Sequence, residues 1–186
     1  MTKANPATPA LLDRSVMPIA ELFALVLDGQ AFRVGDAFAP LDVADSPGLR
    51  ARAFAELGAG PAIADRGTAA WIHGVRAEPP PQAQVCIDPK RRGRLPDGVD
   101  AHQHDVALGD AVSLAGVRVT SPLRTAADLL LTLPRFGRRD AQEAAHLLAI
   151  AGASVTALTE RLASSRRNGV KRALGRVAQV ERAVLP

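Results

Sequence analysis

His102 and His104 lie two residues apart in a stretch that reads as a strand, so their imidazoles share one face. With His73 or Asp105 they supply donor types that a metal ion takes. The competing reading is a pair of solvent-facing histidines on an edge strand, because no cysteine or carboxylate cluster stands at ligand spacing beside them. Nucleophilic catalysis has no support: there is no Gly-x-Ser-x-Gly elbow, no phosphate-binding Walker loop and no Gly-x-Gly-x-x-Gly opening a helix. Asp128 sits four residues after Arg124 inside the apolar run Leu123–Leu133, which reads as an ion pair or a satisfied buried carboxylate rather than a catalytic acid. Glu143 and His146 form one Glu-x-x-His step, but the iron sites that use it need a second such step and two further glutamates. Cys86, within Val85-Cys86-Ile87, reads as a small buried hydrophobe. We therefore assign no catalytic residue, no metal and no cofactor from the sequence, and read the chain as a binder.

Two basic features remain. Lys90, Arg91, Arg92 and Arg94 form a charged loop between strands, a natural place to touch phosphates and equally a solvated hairpin tip. Arg161, Arg166, Arg167, Lys171, Arg172 and Arg176 make the C-terminal third basic, against Glu160 and Glu181. These are the candidate DNA- or partner-binding residues. The chain has 23 Lys and Arg against 19 Asp and Glu, a net +4. Lysine occurs only at Lys3, Lys90 and Lys171, so the charge is mainly arginine, which grips phosphate or carboxylate bidentately but is also favoured by a GC-rich genome. Aromatic content is 3% with no tyrosine, which argues against single-strand binding on stacking platforms.

The elements that must position these residues follow from periodicity and punctuation. The 186 residues, 47% hydrophobic, can bury a proper core. No apolar run approaches the roughly 20 residues of a membrane span. Met1–Ala10 lacks the basic start and apolar core of a signal peptide, and a single cysteine fits a reducing cytosol, so the expected location is cytoplasmic. Residues 1–15 read as a disordered tail. Residues 16–45 read as a helix over Pro18–Leu27, with Ile19, Leu22, Phe23 and Val26 on its apolar face, followed by a hairpin of Ala31–Val34 and Ala37–Leu41 across Gly35-Asp36.

Residues 46–134 read as an α+β core. It holds helices at Gly48–Leu57 and Thr68–His73, a strand at Ala62–Ala64, strands Gln84–Asp88 and Val99–His104 of one antiparallel sheet, a hairpin at Val112–Leu114 and Val117–Thr120, and a helix capped by Ser121-Pro122. Residues 135–186 read as helical: Asp140–Ile150, Thr156–Ala163 and Val170–Val184, the last with an apolar stripe of Val170, Leu174, Val177 and Val184. Asp140–Ile150, Ala151–Ser154 and Val155–Ala163 also allow a helix-turn-helix, a pattern any helix pair with a glycine turn fits. The fold class is α+β: a small mixed or antiparallel sheet with packed helices, followed by a helical C-terminal part.

Three blocks taken in order carry a resemblance. They are Arg66-Gly67-Thr68-Ala69-Ala70-Trp71-Ile72-His73-Gly74-Val75, then Val85-Cys86-Ile87 leading through the basic loop to Val99–His104, then Gly116-Val117-Arg118-Val119-Thr120-Ser121-Pro122-Leu123-Arg124-Thr125-Ala126-Ala127-Asp128-Leu129. Each alone is unspecific; their order and spacing resemble the actinobacterial AbiEi-type antitoxins and transcriptional regulators of type IV toxin–antitoxin systems, over roughly Pro18 to Val180. The resemblance implies an N-terminal winged helix that binds the promoter and a following domain that neutralises a nucleotidyltransferase-like toxin or supports regulation.

Only Pro18–Leu27 and the Ala31–Leu41 hairpin correspond to a recognition helix and wing, so the winged helix is expected to be incomplete and the C-terminal arginines or the Lys90–Arg94 loop to contribute more to any DNA contact. Some relatives carry an endonuclease-like domain where this sequence stops at Pro186, so nuclease chemistry is not implied. The expected partners are DNA of its own promoter, a cognate toxin protein, or both, and no membrane. The alternatives are a protein-interaction module without DNA binding and, last, a metal-dependent hydrolase or nuclease. Within the resemblance, Trp71 reads as a core anchor and Arg124 and Asp128 as ties between helices.

Overall fold

The computed structural model describes residues 11–87 and 95–184. It shows an α+β fold with seven helices, a two-stranded sheet and a five-stranded mixed sheet among the described residues. Helix α1 (Ile19–Leu27) precedes the hairpin β1 (Ala31–Val34) and β2 (Ala37–Pro40), and α2 (Pro47–Ala55) follows. The central part contains β3 (Ile63–Ala64), α3 (Arg66–Ile72), β4 (Gln84–Ile87), β5 (Asp100–Gln103), β6 (Ala111–Leu114) and β7 (Val117–Thr120). The helical part contains α4 (Pro122–Thr132), α5 (Arg138–Ala151), α6 (Val155–Ala163) and α7 (Val170–Val184).

The larger sheet runs β5-β4-β3-β7-β6. The two-residue strand β3 lies at its centre, antiparallel to β4 and parallel to β7, with Ile63 and Ala64 wholly buried. The β6–β7 hairpin closes across Ala115 and Gly116 at φ 49° and 85°, the left-handed pair that suits the twist of a two-residue turn. Strands β4 and β5 were expected to be antiparallel; they pair in parallel, Gln84 opposite Asp100 through Ile87 opposite Gln103. The physical reason is the connection. Residues 88–99 separate the strands, and about a dozen residues are what a parallel crossover needs, whereas a tight hairpin would enforce the antiparallel direction.

Two apolar clusters hold the molecule together. The first joins the hairpin to the sheet: Val34, Ala37 and Ala39 pack with Leu49, Phe54, Trp71, Val85 and Val119. Trp71 is buried there, as expected of a core anchor. The second is helical: Leu129, Leu130 and Leu131 of α4 pack with Leu147 and Leu148 of α5, Leu158 and Leu162 of α6, and Ala173 and Val180 of α7, and Ala70 of α3 reaches into it. Helix α4 is thus the shared wall between the sheet side and the helices.

Three local expectations change. Residues 11–15 are attached rather than loose: Leu12 pairs with Phe38, its N–H donating to the Phe38 carbonyl at 2.7 Å and its carbonyl accepting in return at 2.9 Å. The apolar face of α1 buries only Leu22; Ile19 and Phe23 stay 36% and 44% exposed, although the Phe23 ring packs edge-on against buried Phe38 of β2, ring centres 5.4 Å apart. In α7 the inward residues are Ala173, Arg176 and Val180, while Leu174 and Val184 face outward. The helix is rotated from its most apolar stripe so that one arginine points into the protein.

Candidate partner-binding surface

Helix α4 places the charged residues. Ser121 and Pro122 start it, and every residue from Arg124 to Leu131 is buried. Arg124 and Asp128 are one turn apart, so the Arg124 Nε donates to Asp128 Oδ2 at 2.9 Å. The Arg124 Nη1 also donates to Asp110 Oδ2 at 2.7 Å, and Arg161 Nη2 of α6 donates to Asp110 Oδ1 at 2.6 Å. Arg167, just before α7, donates to Asp128 Oδ1. Two buried carboxylates therefore hold three guanidinium groups from α4, α6 and the segment before α7. Burial opposes the charge on Asp110, but the hydrogen bonds and charges of Arg161 and Arg124 outweigh it and keep its carboxyl below the usual range. Burial likewise opposes the charge on Arg124, and Asp128 and Asp110 overcome it, raising the guanidinium.

The end of α4 is held by two more arginines. Arg172 Nη2 donates to the Leu131 carbonyl at 2.7 Å. Arg176 Nη1 donates to the carbonyls of Leu130 and Leu133 at 2.7 and 2.8 Å, its Nη2 to Pro134 at 3.3 Å, and its guanidinium lies 5.2 Å from the Phe136 ring centre. Cations at the carbonyl end of a helix satisfy orphan acceptors and complement the helix dipole. Arg161, Arg167, Arg172 and Arg176 thus each have an internal partner. Arg166 and Lys171 are exposed and make no hydrogen bond or ion pair among the described residues. Lys90, Arg91, Arg92 and Arg94 lie outside the described residues.

The charge is strongly localised. Residues 161–186 hold seven basic side chains, the six candidates and Arg182, against Glu181 alone, a net +6 where the whole chain has +4. A cleft of about 430 Å³ is lined by His104 and Asp110, by Arg124 and Asp128 of α4, by Arg161 of α6, and by Arg166 and Arg167 of the segment before α7.

His102 and His104 share a face, as expected, with rings 6.0 Å apart. Their surroundings are cationic: burial first, then Arg66 at His102 and Arg167 at His104, lower both imidazoles below their ordinary value. His73, at the end of α3, is buried, its Nε2 2.8 Å from the Thr120 carbonyl. Among the described residues no three His, Cys, Asp or Glu side chains form a metal-holding group. Glu143 is buried and bound by Arg76 at 2.6 Å, while His146 is exposed, so the pair does not converge. Cys86 is buried, and burial pushes its thiol up.

The wing and helix-turn-helix readings meet specific geometry. The hairpin packs β2 into the core, with Ala37, Phe38 and Ala39 buried. Helices α5 and α6 each pack mainly on α4 and α7. Ser154 caps α6 by accepting from the Ala157 N–H at 3.1 Å.

A second charged cluster was not legible in the sequence. Arg66, at φ 45°, donates to Asp65 Oδ1 at 2.9 Å, to Asp100 Oδ2 at 2.7 Å and to the Asp100 carbonyl at 2.8 Å. The Arg66–Asp100 pair spans 34 residues, so no local spacing announces it. Asp110 was missed for the same reason; only its place between Gly109 and a strand marks it as a turn residue.

No helix among the described residues is long and apolar enough to cross a membrane. No curated protein matches the chain. Among solved structures, the chain is similar to the RV2827C protein from Mycobacterium tuberculosis, with 17% identity, a TM-score of 0.45, and coverage of 95% of this chain and 76% of that one. Residues 62–177, from the strand β3 through the arginine-bearing part of α7, match the AbiEi antitoxin C-terminal domain, and the chain belongs to that family.

Proposed function

We propose that the protein acts without catalysing a reaction, as an AbiEi-type antitoxin or transcriptional regulator that binds promoter DNA, neutralises a nucleotidyltransferase-like toxin, or does both. The observation that carries this reading is the set of exposed Arg166, Lys171, Arg172 and Arg182, with the partly exposed Arg161 and Arg167, on and between the helices packed against α4. A fixed basic face serves phosphates or an acidic protein surface, by counterion release in one case and by charge complementarity in the other. Fluorescence anisotropy with the duplex upstream of its own gene, against a scrambled duplex at low and physiological salt, tests the DNA arm. Rescue of growth when the protein is co-expressed with the product of the neighbouring gene tests the toxin arm. Failure of both removes the proposal.

A protein-interaction module without DNA binding is the second reading, and α1 favours it. Ile19, Phe23 and Leu27 are 36%, 44% and 87% exposed on one nine-residue helix, beside exposed Val16 and Leu41. An apolar patch of this kind on a folded surface marks a contact with another protein. Rescue without promoter preference, lost in Phe23→Ser and kept when Arg166 and Lys171 are reversed in charge, would select this reading.

A further inference from the structure

Arg161 and Arg167 come from different elements, yet both line the cleft beside α4. Each is anchored at one nitrogen, Arg161 Nη2 on Asp110 at 2.6 Å and Arg167 Nη1 on Asp128, and their side chains remain 32% and 22% exposed. A guanidinium has five N–H donors, so most donors of each are uncommitted. Arg166 adds a third guanidinium with no partner among the described residues. The cleft lining carries Arg124, Arg161, Arg166 and Arg167 against Asp105, Asp110 and Asp128, a surplus of one positive charge. Arginines already held by buried carboxylates lose little freedom on binding an anion, and their planar forks match phosphate oxygens.

Helix α7 begins three residues after Arg167. Its first turn carries Lys171 and Arg172 and no acidic residue, the reverse of what its own dipole favours. The volume, about 430 Å³, is within the roughly 300–1,000 Å³ of small-molecule sites.

We infer that this cleft is a binding site for a phosphate group, carried either by a free nucleotide or polyphosphate or by a nucleic-acid backbone. Only the nucleic-acid source rests on the DNA arm of the function proposed above. The four histidines provide a located probe, since His104 lines the cleft and His146 is exposed on α5. The whole chain is titrated with sodium pyrophosphate at constant ionic strength, following histidine resonances by NMR and heat by calorimetry, then repeated for Arg166→Ala and for the remote control Arg14→Ala. Because Arg166 has no internal partner, its replacement leaves the fold intact.

The site predicts a saturable shift of His104 and none of His146, and an affinity weakened about tenfold in Arg166→Ala, the loss of one charge-assisted contact, but unchanged in Arg14→Ala. Displacement of a short mixed-sequence duplex by pyrophosphate assigns the site to backbone phosphate; pyrophosphate binding without competition assigns it to a free phosphoryl ligand. No His104 shift beyond that of matched sodium chloride, or an Arg166→Ala variant that binds like the parent, overturns the site. Promoter binding that survives under either of those results removes the site alone, whereas pyrophosphate binding without promoter preference removes the DNA arm alone.

Discussion

Arg176 donates through Nη1 to the main-chain carbonyl of Leu130 at 2.7 Å, 46 residues away, and is only 8% exposed. The contact ties α7 to the end of α4 and explains why a charged residue occupies the inward face of an amphipathic helix. Replacing it leaves the carbonyls of Leu130 and Leu133 without their donor in an apolar setting. Arg176→Met is expected to destabilise the protein by about 2–4 kcal/mol, read as a lowered urea midpoint with unchanged slope. A loss under about 0.5 kcal/mol, the range of ordinary surface changes, would show that the contact contributes little.

Asp128 is the hinge of the buried charge network, accepting from Arg124 and Arg167 with its side chain 2% exposed. Asp128→Ala leaves Arg124 buried with one partner fewer, and a broken buried pair costs about 3–5 kcal/mol. Thermal unfolding checks it. The variant is also expected to loosen Arg167, so amide exchange should speed up at the start of α7. Full stability in Asp128→Ala would contradict the role given to the network.

The pH dependence has opposing parts. Burial lowers His73, and burial with nearby guanidinium groups lowers His102 and His104, from the ordinary 6.5, so the neutral forms belong to the fold. Their contribution is present above 6.5 and lost as pH falls through the depressed values. Asp65 works the other way: burial raises it from 3.8 to about 6 against the attraction of Arg66, so its contribution is present below 3.8 and lost as pH rises through 6. Between pH 6 and 4 it offsets the histidines. Asp65→Asn removes that offset, worth up to about 3 kcal/mol, so the fall in melting temperature from pH 7 to pH 4.5 should be larger than in the parent. An equal or smaller fall contradicts the assignment.

Gly67 leaves no room for a side chain. A Cβ there would meet Arg76 Nη1 at 2.7 Å and Gln84 Oε1 at 2.9 Å, and the Gln84 oxygen already accepts from the Gly67 N–H at 2.8 Å. Both neighbours are committed elsewhere, Arg76 to Glu143 and Gln84 to Asp100, so they cannot swing away freely. Gly67→Ala is therefore expected to cost about 1–3 kcal/mol, measured by denaturant titration. Neutrality would mean that these side chains yield.

Much of this arrangement was legible before the structure. The Val170–Val184 helix follows from its apolar spacing, and the Arg124–Asp128 pair follows from a four-residue step. The parallel pairing of β4 with β5 was not legible, because a two-residue alternation is the same in either strand direction. Nor was the division of the C-terminal arginines. Arg166 and Arg167 are neighbours in sequence, yet one is exposed without a partner and the other is bound to Asp128, 39 residues earlier. Long-range partners of this kind leave no periodic trace. The exposure of Ile19 and Phe23 on α1 was not legible for a related reason: apolar spacing identifies a face, but not whether anything covers it.

The most direct test of the account is anisotropy binding to the protein's own upstream duplex and to a scrambled duplex at physiological salt, for the parent and for Arg166→Glu combined with Lys171→Glu. These two residues are chosen because neither supports the fold, unlike Arg172 and Arg176, which hold the end of α4. The account predicts preference of the parent for its own duplex, and at least a tenfold loss on reversing about two phosphate contacts with melting temperature unchanged. Equal, salt-sensitive binding to both duplexes, or undiminished promoter binding by the reversed variant, would contradict a role for this basic face in reading DNA.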